Sequence, residues 1–526
     1  MKGTTGRTER TERKQKFFRF AAGLLAVLMM IPVMASCKKK KGGDEEDNTV
    51  TTESGDTTQR NVLDGVDFGG KELGVLYWKS GNLQEYVPKY DSADEINQEV
   101  YNRNEAAKSR IGVNVVWTEC TGAGYGKPYI EMASNDAQTG GVFDIFCGQS
   151  RDAGPLAIQG LYSNLKQYEY IDLESPWWAT RLAKDCTIYD KLFFCTGDIS
   201  TNLVFMTSAI FFNKDMVENY HINDAIKEKY GAEDLYDLVE QGNWTYEAMM
   251  TLSQDIYFDN DVNEKKSEAD TLGFGTYGTL VDNFWYGAGY MMVDVNEDGL
   301  KRSNDYTGKV DEVTSILFMC KNFFTKDGAL LFDRVVTKEV YKSVRDSFRD
   351  GRIMFSMAPA SHALVGAYNA KEGLRYGILP IPKYTTEQDG YSSVNSHHYS
   401  LYGVSTASNK RDAAAAFLQA LGEASYTTTR TMIYEKTMSG KLSDTSSDEK
   451  MWDYVIKSQT FDLGRIFADS IVGTNDSGKP VKITLDVFST KVKKGSDTWN
   501  SSVDAWKNQL ATCCNTINES IRKNEN

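Results

Sequence analysis

Histidine is scarce in this chain, with four residues in 526. That does not favour a metal centre built on three imidazoles. His397 and His398 are adjacent and cannot face the same way in a strand. The local signatures of several enzyme classes are missing too: there is no HExxH, no GxSxG and no GxxxxGK[ST]. The glycine-rich GAGYGKP (122–128) has no Ser or Thr after Lys127, and Pro128 removes a donor, so it reads as a loop. Carboxylates are so numerous that no pair stands out, which leaves a glycosidase-like acid pair open. One long apolar run exists, FAAGLLAVLMMIPVMAS (20–36). It is shorter than the roughly 20 residues of a spanning helix and contains Pro32, so the transmembrane reading is the weaker one.

Positive charge is in deficit. Residues 1–36 hold seven bases and two acids; the remainder has 52 bases against 71 acids, a net charge of −19. This argues against nucleic acid as a partner, because phosphate binding needs a basic face. The remaining length of about 490 residues exceeds one ordinary domain. Hydrophobic content of 41% is ample for a core, and 12% aromatic is high.

The basic stretch 1–19 followed by the apolar run is the pattern of an export signal. Ala35 and Ser36 then precede Cys37 and four lysines. This segment resembles the lipobox of bacterial lipoproteins, with Met34 where leucine is most common. The resemblance implies cleavage before Cys37 and a lipid on its thiol. Acyl chains anchor stably at roughly 0.8 kcal/mol per buried CH₂, with Lys38–Lys41 against anionic headgroups. Residues 38–67 are polar and charged and read as a disordered tether, spanning roughly 30 Å root-mean-square. Export permits disulfides. Cys186 and Cys195 flank a candidate hairpin, and Cys120 and Cys147 end two candidate neighbouring strands; free thiols are the alternative for both pairs.

The globular part opens with a strand at 71–78, a helix at 95–112, and strands at 113–117 and 142–148, the last apolar except for Asp144. A helix is expected at 151–165. Apolar strands alternating with helices predict a parallel sheet covered on both faces. The pattern repeats: strand and helix in 208–220, two helices in 233–256 with Thr245 as N-cap, a helix at 311–325, strands at 352–359 and 375–383, and helices at 411–425, 448–459 and over the last 25 residues. This predicts a two-lobed α/β protein whose chain crosses between lobes more than once.

Two stretches resemble calcium loops. DNDVNEKKSEAD places Asp259, Asp261, Asn263 and Asp270 at positions one, three, five and twelve, with Glu264 in place of the turn glycine. DVNEDGLKRSND (294–305) ends in aspartate instead of glutamate. An acidic turn without an ion is the default for both, so no cofactor is required. Aromatics at predicted strand ends, mixed with Asp, Asn and Gln, suit sugars: Tyr77-Trp78, Trp177-Trp178 and Phe284-Trp285-Tyr286. A pyranose offers an apolar face to a ring and hydroxyls to polar groups, and ligands bind beyond the carboxyl ends of strands in open α/β sheets.

The ordered motifs KELGVLYW, VFDIF, GLYSNL, SPWW, TIYDKLFFCTGD, IFFNKDM, LYDLVEQGNWTYEAM, FRDGRIMF, YGILPIPKY and DEKMWDYV, from about 71 to 465, make the chain similar to family 1 extracellular solute-binding proteins. These are the receptors of carbohydrate ABC importers, and the likeness is to their large clostridial-type lipoprotein branch. The resemblance implies a type II periplasmic-binding-protein-like fold, with two lobes closing on ligand about a hinge. It implies crossings near 200–207, 345–350 and 425. The expected division is 1–36 signal peptide, 37–67 lipidated cysteine and tether, 68–203 with 348–425 as the first lobe, and 204–347 with 426–526 as the second. The candidate ligand contacts are Trp78, Ser150, Asp198, Trp285 and Ser356, with packing or capping as the alternative for each. The function expected is a lipid-anchored, monomeric, non-enzymatic receptor that gives a sugar, in particular an oligosaccharide, to an ABC permease outside the cytoplasm. A receptor for peptides or other small solutes, a surface glycoside-active enzyme and a ligand-free scaffold are the rivals.

Overall fold

The computed structural model describes residues 61–524, apart from 80–84, 89–93, 123, 279, 333–337 and 369–371. The export signal, Cys37 and the tether as far as residue 60 lie outside the described residues. Among the described residues no helix is long and apolar enough to cross a membrane.

The first lobe is built on four strands. Lys71–Tyr77 lies between Val113–Glu119 and Ile145–Gln149, parallel to both, and Ser400–Val404 adds an antiparallel edge beside Ile145–Gln149. The third strand is shorter than its apolar run predicts, and Asp144 is the reason. Its carboxylate accepts the Gly74 N–H at 2.8 Å and the Ser408 hydroxyl at 2.5 Å, and pairs with Lys410 at 2.7 Å. Helix Glu95–Ile111 is capped by Asp94, which accepts the N–H groups of Ile96 and Asn97. It packs against helix Arg411–Thr427. Gly112 ends it at φ 63°, where a Cβ would lie 1.9 Å from the Asp67 carboxylate.

That close approach belongs to a correction. Residues 61–67, expected in the tether, are part of the first lobe. Leu63 is 1% exposed, Arg110 donates to the Leu63 carbonyl at 2.8 Å and to Asn61 Oδ1 at 2.9 Å, and the Phe68 N–H reaches the Ile111 carbonyl. Leu63 and Arg110 dock the stretch, with Val62 and Val66 packed against the core beside them.

The second lobe holds Ser208–Asn213, Tyr257–Phe258, Thr271–Tyr277, Ala329–Phe332, Ile353–Pro359 and Tyr376–Leu379. This sheet is mixed instead of mostly parallel. Ser208–Asn213 runs antiparallel to both its neighbours, Ile353–Pro359 and Tyr376–Leu379, while Thr271–Tyr277 is parallel to Ile353–Pro359 and Ala329–Phe332. Residues 353–379 therefore belong to the second lobe, contrary to the expected division. The chain returns to the first lobe between Leu379 and Ser400, not near 345–350. The outer crossings fall where expected, at 201–207 and after Thr427, the latter through the π-helix Thr431–Ser439. The stretch 294–305, which resembles a calcium loop but has an acidic turn as its default reading, is a β-hairpin, Val293–Asn296 with Gly299–Arg302. Helix Asn500–Lys523 packs on it: Asn518 accepts the Leu300 N–H at 2.8 Å and donates to the Leu300 carbonyl at 2.7 Å. Thr245 caps the helix Tyr246–Ser253 as expected, accepting the Ala248 N–H.

The seven described cysteines are all free. Cys120 and Cys147 flank the central strand from opposite sides: the Cys120 N–H reaches the Tyr77 carbonyl, and Cys147 is in register with Tyr77. Two inter-strand spacings, about 10 Å, separate such positions, beyond disulfide reach. Cys186 closes helix Thr180–Cys186, whereas Cys195 pairs with Tyr402 across an antiparallel bridge. The tight turn between them joins Ile188 to Lys191 through Tyr189 and Asp190, both at positive φ.

Leu63→Ala removes a fully buried side chain and is expected to lower unfolding stability by about 2–4 kcal/mol in urea denaturation. A change below 0.5 kcal/mol, roughly the value for exposed sites, is the outcome for a solvated tether.

Candidate ligand cleft

At the carboxyl ends of the first-lobe strands, three rings from three separate loops meet. Trp78 follows the central strand directly; it is buried, and its indole N–H donates to Ser400 Oγ at 2.9 Å. Tyr125, from the glycine-rich loop, stands edge-on to it with centroids 6.2 Å apart. His398, from the segment entering Ser400–Val404, lies 6.2 Å from Trp78 and 6.0 Å from Tyr125. Trp78 is the floor; Tyr125, 43% exposed, and His398 are open to solvent.

The loop bearing Tyr125 is pinned at both sides. Gly124 stands at φ 83° and comes so close to Lys79 that a Cβ would lie 2.3 Å from the Lys79 Cβ; its carbonyl accepts the Lys79 N–H at 3.1 Å. The Gly126 N–H donates to Asp152 Oδ1 at 2.8 Å. Burial pushes the Asp152 carboxyl up to about 7, against the pull of that N–H. Pro128 sits in the first turn of helix Lys127–Gln138, where a missing donor costs nothing.

Beside this platform runs the seam between the lobes. Ser150 donates its N–H to the Tyr399 carbonyl and its hydroxyl to the His397 carbonyl, each at 2.9 Å. Arg465 donates one guanidinium nitrogen to His397 Nε2 at 2.9 Å and another to Asp282 Oδ2 at 2.8 Å, and lies over the Tyr286 ring. Burial, then the Arg465 charge, holds the His397 ring well below its ordinary pKa, so it is neutral and accepts. Tyr286 in turn donates to Asp462 at 2.8 Å. Arg151 pairs with Asp469, which also holds Lys482 at 2.5 Å.

The five expected contacts separate here. Trp78 and Ser150 stand at the ends of adjacent strands, as expected, though both are buried and Ser150 is engaged by the 397–399 loop. Asp198 lies at the first crossing, 3.6 Å from Arg430 at the third; Arg430 is stacked between Tyr426 and Tyr434. Asp198 joins two of the crossing segments and does not stand at the platform. Trp285 and Ser356 do not face a cleft. Trp285 is packed among Tyr290, Phe488 and Trp499, and Ser356 lies within the second-lobe sheet beside Phe211 and Gly275. Both are core residues: Trp285 sits in the buried short helix Asn283–Tyr286, and Ser356 in a strand whose residues are all buried. Tyr125 and His398 were missed: one sits in a loop read as filler, the other in a segment without periodicity. The glycines around Tyr125 were the available signal.

On the outer edge of the second lobe, the carboxylates of Asp259, Asp261 and Asp270 come within 4.8 Å of one another. Asn263 does not add its oxygen to that point: its amide N–H donates to Asp261 and its Oδ1 accepts the Lys265 N–H. Glu264 takes φ 58°, the left-handed conformation that a glycine would supply more easily.

Two α/β lobes, three crossings and a platform at the strand ends define a binding protein of the two-lobed periplasmic type. The chain belongs to the bacterial extracellular solute-binding protein family, whose model matches residues 91–428. That is a family of substrate-binding proteins that work outside the cytoplasm, not one of enzymes. No curated protein sequence matches the chain. Among solved structures it is similar to the sugar-binding protein MalE from Xanthomonas citri, at 12% identity over 86% of this chain and 98% of that one, with a TM-score of 0.51. It is also similar to a family 1 extracellular solute-binding protein from Bifidobacterium longum subsp. infantis, at 14% identity over 84% and 100%, with a TM-score of 0.49.

Burial pushes the Asp198 carboxyl from 3.8 up to about 7, with Arg430 opposing. A raised acid pKa means the folded state holds a proton the unfolded state has lost, so stability falls as pH rises between those values. Asp198→Asn cannot ionise. It is expected to match the wild type near pH 4 and to exceed it at pH 8 by on the order of 2 kcal/mol, read as melting temperature against pH. A variant less stable than wild type at pH 8 would show the Arg430 pairing to dominate.

Proposed function

We propose that this protein captures a carbohydrate, in particular an oligosaccharide, between its lobes and delivers it to an ABC permease from a lipid anchor at Cys37. The observation that supports the sugar is the exposed pair Tyr125 and His398 over buried Trp78 at the strand ends. A ring edge-packed on its neighbours keeps one face free, and a pyranose stacks there through its C–H groups. Ser150, Arg151 and the 395–399 loop supply polar groups beside it. No covalent step is needed. Contacts made only when both lobes meet shift the population toward the closed form.

Tyr125→Ala and His398→Ala are each expected to weaken glycan binding about tenfold in calorimetry, with little effect on the unliganded melting temperature. A thermal-shift panel of oligosaccharides, monosaccharides and peptides decides the class, since binding to the native state alone raises stability. A shift with peptides only would overturn the sugar reading. Cys37→Ser is expected to move the protein from the membrane to the soluble fraction. Retention on the membrane would leave the apolar run 20–36 as the anchor.

We also propose weak calcium binding at Asp259, Asp261 and Asp270, because three hard oxygen donors converge there. Millimolar calcium is expected to raise the melting temperature, and Asp270→Asn to abolish the rise; identical curves in calcium and in chelator would remove the ion from the reading.

A further inference from the structure

The covalent chain joins the lobes three times, and the carboxyl-terminal segment makes a fourth, non-covalent join. This segment is rooted in the second lobe. Trp499 is fully buried, donates its indole N–H to the Tyr306 carbonyl at 3.1 Å and packs on Trp285 at 5.4 Å. Tyr306 donates back to the Ser502 carbonyl, Lys321 pairs with Asp497 at 2.7 Å, and Asn518 clasps Leu300 of the hairpin.

Its feet rest on the first lobe. Asn524 donates its side-chain amide to the Ile158 carbonyl at 3.0 Å, and its own carbonyl accepts Lys191 Nζ at 2.9 Å. Tyr189 donates to the Asp298 carbonyl at the hairpin tip at 2.6 Å, and Arg522 lies 4.6 Å over the Tyr189 ring. Gly154 abuts Ile466 so closely that a Cβ would lie 2.7 Å from its carbonyl oxygen. Farther in, Arg151 pairs with Asp469. Hydrogen bonds of this kind weaken steeply once the partners separate by much more than 3.2 Å. A rotation of one lobe by a few ångströms therefore breaks the feet together, while the buried tryptophan root stays.

We propose that residues 459–524, with the hairpin 293–302, form a strap that must release the first lobe before the cleft opens, and that Arg465 carries its position to the platform. Arg465 lies on this segment, bonds His397, and His397 is followed by the platform ring His398. The strap's attachment and the placement of the stacking surface are then one equilibrium. Arg465 is a positioning residue in this scheme, touching no ligand itself.

The test uses hydrogen exchange by mass spectrometry on the full mature protein in detergent, without ligand, so it does not depend on the identity of the solute. The variants are Tyr189→Phe and, separately, deletion of residues 524–526, both at the feet and away from the platform. Exchange at 394–398 and 465–469 is expected to rise roughly tenfold, with the central strand Lys71–Tyr77 unchanged. Unchanged exchange at the seam overturns the proposal. So does an equal rise in Lys71–Tyr77, which marks general destabilisation instead of release. If Tyr189→Phe does not fold, the deletion carries the test alone.

Discussion

A guanidinium buried between two lobes imposes a condition on everything around it. Taking such an ion out of water costs on the order of several kcal/mol unless its donors are met. Arg465 is 7% exposed, and its partners come from distant parts of the chain: Asp282 and Tyr286 from the second lobe, His397 from the segment entering the first. The Arg465 donors are met only with Asp282 and His397 both in place, while the Tyr286 hydroxyl has its own partner in Asp462. His397 accepts only while neutral, and burial pushes the Asp282 carboxyl up while the Arg465 cation beside it opposes that push. The seam is therefore an arrangement that forms whole.

The aromatic platform proposed as the binding surface rests on the same return of the chain. Strand Ser400–Val404 pairs with Ile145–Gln149, and that places Ser400 under Trp78 and His398 beside it. The glycine-rich loop completes the platform because Gly124, without a Cβ, readily takes a left-handed conformation and can lie directly against Lys79. A rigid floor of buried tryptophan with two exposed rings above suits a ligand that is apolar on one face and polar at its rim.

Much of the local architecture was legible. The helices at 95–111, 310–325, 411–427, 446–457 and 500–523 announce themselves through apolar spacing, and Thr245 marks the start of the helix Tyr246–Ser253. The strands at 71–77, 208–213 and 353–359 stand out as apolar runs. Their assignment to sheets did not follow. Residues 353–359 read equally well as a strand of either lobe, since an apolar run records burial and not the partner. Trp285 and Ser356 failed as contacts for a related reason: a position after a strand has the same local signature whether it lines a cleft or a core. Cys120 and Cys147 read as ending neighbouring strands because nothing local shows that the strand Lys71–Tyr77 lies between them.

Composition, charge and periodicity, read along the chain, determined by themselves that this is an acidic, two-lobed α/β protein. These properties are set by short-range preferences and by the need to bury apolar faces. Which lobe each strand joins, where the chain turns back, and that Tyr125, His398 and Trp78 form one surface were decided only by the tertiary structure. Hydrogen-bond partners across sheets and contacts between loops hundreds of residues apart are fixed by the mutual satisfaction of buried groups, and no single stretch of residues carries that information.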